Sequence, residues 1–211
     1  MPVLKFHEPK AEDIYQRLVA AHGKDVLHDA LRIHPESHAH IFHVGSDRFG
    51  DPDHIQVSSD WRNSDQWGGH SATGLPGTAE GNRLENHSFG IYHGGGQGAG
   101  TKTLARQVIA ARKMGIPAIH ITDAVRSDRD SDQMNGYYTW PRLGFNAKLT
   151  SRAKNMFPGH KDWHSVMADP ENVARWKEHG FSLDNLSFET DPDSPHSKAL
   201  LTYMKSKGIK V

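Results

Sequence analysis

The chain has 211 residues, with 25 Lys and Arg against 25 Asp and Glu, and no cysteine. Balanced charge argues against a broad electrostatic grip on nucleic acid or anionic lipid, and the lack of thiols excludes disulfides and thiolate chemistry. No run approaches the ~18 apolar residues of a membrane span, and MPVLKFHEPK lacks the apolar stretch of a signal peptide. The expectation is a single cytoplasmic α/β domain over residues 1–211, with no membrane association.

In chain order, Ile14, Leu18 and Val19 lie on one helical stripe and predict a helix over 11–21, ended by Gly23. A second helical piece is expected over 25–32. Residues 40–44 and 54–58 read as strands, joined by the turn-rich GSDRFGDPD. Residues 63–82 are rich in Gly, Ser and Asn, and their polarity predicts a long loop. A strand is expected over 87–93, followed by GGGQGAG and a helix over 101–114 with Leu104, Val108 and Ala111 on its apolar stripe. Gly115 and Pro117 end that helix, and 118–122 reads as the next strand, completing a βαβ unit with parallel strands. The charged connector 125–133 leads to the aromatic GYYTWPRLGF at 136–145. Asp169, Pro170 and Glu171 start a helix that runs to Gly180. Residues 186–190 suggest a strand, and Ser194 and Pro195 open a final helix through Lys207, stopped by Gly208.

Histidine is abundant, at 16 residues, and densest at His34, His38, His40 and His43. On a strand His38 and His40 share one face and could offer two imidazoles to a metal. No carboxylate or thiol stands at ligand spacing beside them, so the sequence assigns no metal site.

Glycines 94, 95, 96, 98 and 100 sit between a strand and a helix start. Glycine allows positive φ and close backbone approach, so amide N–H groups there can point at an anion, helped by the helix dipole. A diphosphate is the natural ligand. A P-loop would need glycine directly before its Lys-Thr pair, where Thr101 precedes Lys102 and Thr103. A dinucleotide fingerprint would need a glycine at Thr103.

Residues 88–145 resemble the acyl-CoA-binding half of the GNAT N-acetyltransferases. Gly98-Ala99-Gly100 matches the family's Gly-x-Gly, Leu104, Ala111 and Gly115 match its helix, and Leu143-Gly144-Phe145 matches the LGF after its next strand. The resemblance implies a GNAT-like mixed twisted sheet flanked by helices, with 146–211 as a C-terminal extension. It implies transfer of an acyl group, acetyl above all, from acetyl-CoA or another acyl-CoA to a small-molecule or protein amine, with no metal required. Backbone amides of Gln97, Gly98, Ala99, Gly100, Thr101 and Lys102 would bind the pyrophosphate, and those near Ile91 and Tyr92 would polarise the thioester carbonyl. Glu85 or His93 would serve as base. Trp140 stands where many members place a tyrosine that protonates the CoA thiolate, which leaves Tyr138 or its neighbour Tyr137 for that task. A binding module that keeps the fold without catalysis, and a P-loop-like nucleotide site, are the alternative readings.

Overall fold

A computed structural model describes residues 2–33, 37–44, 54–63, 66–76, 84–92, 98–127 and 135–210. The chain divides into two compact units, one running to Ile119 and taking back the residues from Ile209, the other spanning His120–Gly208. Both mix helices and strands. Among the described residues no helix is long and apolar enough to cross a membrane.

The first unit opens with β1 (Val3–Phe6), α1 (Pro9–His22) and α2 (Lys24–Ala30), followed by β2 (His38–Val44), β3 (His54–Asn63), β4 (Gln66–Pro76) and β5 (Leu84–Tyr92), and then α3 (Ala99–Lys113). Strand β1 runs parallel to β2, and from β2 to β5 each strand pairs antiparallel with the next. Helix α1 forms where the stripe predicted it, with Ala11, Ile14, Tyr15 and Leu18 buried. In β2 the pleat sends Ala39 and Ile41 into the core and leaves His38 exposed on the opposite face.

The expected loop over 63–82 is corrected: Gln66–Pro76 is a strand, hydrogen-bonded to β3 on one side and β5 on the other. Its ladder consumes main-chain donors and acceptors, which Gly, Ser and Thr carry as well as Val or Ile, so side-chain polarity was the wrong criterion. The connection 45–53 lies outside the described residues.

Helix α3 buries Leu104, Val108 and Ala111, the three stripe residues, together with Ala105 and Ala110. Its end is a Schellman closure: Gly115, at φ 71, donates to the Arg112 carbonyl and Ile116 to the Ala111 carbonyl. The stripe also carries Gln107, fully buried where α3 packs on α2. Gln107 Oε1 accepts from Arg32 Nε at 2.8 Å and from Asn86 Nδ2 at 3.1 Å. Its Nε2 donates to the Ala30 carbonyl and to Asn86 Oδ1. One amide therefore ties α3, β5 and the end of α2 together.

The second unit contains most of β6 (Ala118–Ala124), then α4 (Gly136–Arg142), α5 (Ser151–Met156), α6 (Trp163–Met167), α7 (Pro170–His179), β7 (Leu183–Glu189) and α8 (Pro195–Ser206). Helix α7 starts at Asp169, whose carboxylate accepts from the Glu171 amide, and α8 at Ser194, whose hydroxyl accepts from the Ser197 amide. The core is aromatic. Trp163 and Trp176 lie 4.3 Å apart, Trp176 Nε1 donates to the Tyr137 carbonyl, and Trp140 sets its ring edge-on to Phe145. The LGF turn is part of this packing: Leu143 and Phe145 are buried, and Gly144, at φ 96, lies against the His196 backbone with no room for a side chain.

Candidate functional site

The segment that the glycine pattern singled out joins β5 to α3. His93 and Gln97 lie outside the described residues, as do glycines 94–96. Gly98 does not. It is the N-cap of α3, at φ 90 and ψ 5, in the left-handed region that an L side chain enters only at a cost. A Cβ at that position would also meet the Ile209 side chain at 2.7 Å. The torsion is what calls for glycine here, and the Ile209 side chain would have to turn aside for any larger residue.

From Gly98 the chain turns straight into fifteen helical residues with no side-chain cap and no acidic residue in the first turn. The Lys102 amide donates to the Gly98 carbonyl at 2.8 Å, the first bond of the helix. The amides of Ala99, Gly100 and Thr101 precede that bond and have no carbonyl within the helix to receive them. They carry the positive end of the helix dipole. Thr101 is buried and anchors the turn from within, while Lys102 is exposed. Thr103 turns its hydroxyl back onto the Ala99 carbonyl at 3.1 Å, away from the first-turn amides. Among the described residues no side chain caps these amides, and with a cation at its edge the helix start is suited to a phosphate-bearing ligand.

The other candidates distribute as follows. Glu85 lies on β5, half-buried, opposite Thr73 of β4. Ile91 and Tyr92 close the same strand, their backbones paired with Gly68 and Trp67. Tyr138 belongs to α4 in the second unit, where the Arg142 guanidinium lies over its ring at 4.7 Å and the Lys177 ammonium at 6.0 Å. Trp140 is a core residue at 7% exposure.

Sequence reasoning missed one buried polar pair and one half-buried pair. Tyr15 and His28 are joined across α1 and α2. His196 packs its ring edge-on to His164 at 4.5 Å, and His164 Nε2 bonds the Gly144 carbonyl at 2.8 Å. The available signal was a polar residue on an apolar stripe, as at Tyr15 between Ile14 and Leu18. The second unit also has an open hollow of about 500 Å³ bordered by Arg126, Arg152, His179 and Phe181. Arg126 is engaged there with the Glu178 and Gly180 carbonyls at the end of α7, and Arg152 lies over the Phe181 ring. No family model, no curated protein and no solved structure matches the chain.

Proposed function

We propose that the chain is an acyl-CoA-dependent N-acyltransferase, with acetyl-CoA as the donor and an amine as the acceptor. The observation that carries this reading is the start of α3, where a left-handed Gly98 opens a fifteen-residue helix whose first-turn amides have no side-chain cap among the described residues. The GNAT resemblance of residues 88–145 adds the identity of the anion. In this reading Ala99, Gly100 and Thr101 donate to the pyrophosphate and Lys102 adds a charge. The thioester carbonyl sits by the end of β5, near Ile91 and Tyr92. The amine nitrogen attacks that carbonyl. Its surplus proton passes to His93, which follows Tyr92 in the chain, or through a chain of waters to Glu85, six residues before Ile91 and about 20 Å back along β5. The C–S bond breaks to release the CoA thiolate, which is then protonated. Tyr138 lies in the second unit, and the reading rests on groups of the first unit alone.

The rival reading is a binding module without catalysis. Trp140 favours it: an indole N–H is no acid of useful strength, and this one is packed in a core.

Thermal shift with acetyl-CoA separates them, because a ligand at 100 times its Kd adds ~2.7 kcal/mol of stability. A shift together with free thiol released over a panel of amines supports the transferase. A shift without thiol supports the module, and a shift only with Mg-ATP returns the P-loop reading. Lys102→Glu is the variant of choice, since Lys102 is exposed and its loss reverses a charge at the cradle without disturbing the core. Gly98→Glu confounds binding with folding, given the torsion and Ile209. Unchanged acetyl-CoA affinity in Lys102→Glu would reject the placement of the diphosphate.

A further inference from the structure

The sequence pairs His38 with His40 as strand neighbours, but the fold brings a different partner to His40. Strand β1 runs parallel to β2 with Lys5 opposite His40, and the amide of His7 continues the ladder by donating to the Ile41 carbonyl at 3.1 Å. His7 thereby arrives beside the outer face of β2. Its Nε2 lies 3.0 Å from Nδ1 of His40. The two rings are nearly parallel, with centroids 5.2 Å apart, and His7 is stacked on the Phe42 ring at 4.1 Å with an interplanar angle of 10°.

In this hydrogen bond one ring nitrogen donates and the other accepts. A metal ion bound to both would replace that proton and lie about 1.4 Å off the line between the nitrogens. With metal–nitrogen bonds of ~2.0–2.1 Å, two imidazole nitrogens on one ion lie about 2.9–3.4 Å apart between the square-planar and tetrahedral angles. The observed separation falls in that range, so a cation can be held without drawing the nitrogens apart, each ring turning by about 40° to aim its lone pair at the ion. Phe42 holds the plane of His7 and lowers the entropy lost on binding. His7 is exposed and His40 half-buried, so an ion can enter and retain water on its remaining positions.

We propose that His7 Nε2 and His40 Nδ1 form a two-imidazole site for a borderline-soft divalent transition metal, which clips the first strand to the second. The donor set is all nitrogen, and affinity follows the order Cu2+ above Ni2+ and Zn2+. Among the described residues no group of three or more metal ligands is assembled, so water completes the coordination and the ion is exchangeable. His38 shares the outer face of β2 and stands opposite Val3, while His40 stands opposite Lys5. The site depends on β1 and β2 alone and is independent of the acyl-CoA reading.

The test titrates Cu2+ into the full-length wild type and into His7→Gln, His40→Gln, the double variant and His38→Gln. Binding is followed by calorimetry and by Cu2+ broadening of the imidazole NMR signals, with the metal-free melting temperature recorded for each protein as a check on folding. The wild type is expected to bind one equivalent of Cu2+ at least tenfold more tightly than His7→Gln or His40→Gln. The double variant should be no weaker than either single one, because each substitution alone dismantles a chelate. His38→Gln should keep the tight equivalent. The proposal is overturned if His7→Gln and His40→Gln bind Cu2+ as the wild type does, if their effects add as independent sites, or if His38→Gln loses as much as His7→Gln. Broadening that spares the His7 and His40 rings overturns it as well, whatever the folding of the variants.

Discussion

The Tyr15 hydroxyl lies 2.6 Å from Nε2 of His28, joining α1 to α2 through a hydrogen bond that both partners bury. Burial pushes the Tyr15 phenol up to about 12, so it stays protonated and donates. Burial also lowers the His28 imidazole, with Lys24 adding to the effect and Asp25 opposing it, so the ring stays neutral and accepts. Each group is held in the protonation state that its partner needs. Tyr15→Phe keeps the ring and removes the donor, leaving a buried acceptor unsatisfied at a cost of about 1–3 kcal/mol. Urea denaturation measures it, and a change within experimental error would show that the bond adds nothing to stability.

The same chemistry sets a pH dependence. His196 is lowered first by its own burial and next by His164, with Glu189 opposing. His28 and His196 therefore both have folded-state values below the ordinary 6.5. Below that value the unfolded chain takes up protons that the folded chain resists, so stability is fully present above about pH 6.5 and falls as the pH drops through and below it. Denaturation midpoints compared at pH 7.5 and pH 5.5 should show the loss, and His28→Gln with His196→Gln should flatten it. A wild-type profile that rises on acidification would contradict this sign.

Gln107 concentrates three elements on one amide. Gln107→Leu fits the apolar stripe of α3 but strips Arg32 Nε of its acceptor at 2.8 Å and Asn86 of both its Gln107 contacts. Arg32 is buried deeply enough to lower its guanidinium to about 9, so the loss falls where solvent cannot compensate. The expected cost is about 3 kcal/mol or more. Gln107→Glu keeps the acceptor for Arg32 and should recover much of it. If Gln107→Leu unfolds at the wild-type midpoint, the network is not a structural tie.

What the sequence disclosed follows from the range over which its signals act. Helix α3 was readable because Leu104, Val108, Ala111 and Gly115 carry its stripe and its stop within a dozen residues. The starts of α7 and α8 were equally local, at Asp169 and Ser194. Strand β4 was hidden because its ladder is made by main-chain groups, while its composition of Gly, Ser and Thr describes side chains. Gln107 has no local signal that buries it, and only the opposing Arg32 and Asn86 give it a reason to be inside. The pairing of His7 with His40 spans 33 positions and depends on parallel strand register, which no short pattern encodes. Of the candidate site, a helix following the glycines was legible, though it starts at Ala99, two residues before the expected 101, and the approach of Ile209 was not.

The chain leaves the first unit after Ile119 and returns to it with Ile209–Val211. A single cut between Ile119 and His120 would sever residues 1–119 from 120–211, and noncovalent packing such as that of Ile209 beside Gly98 is then what keeps the returning residues in the first unit. The same connectivity makes the packing of Ile209 on Gly98 the return point of the chain, where completion of the second unit feeds back onto the first turn of α3.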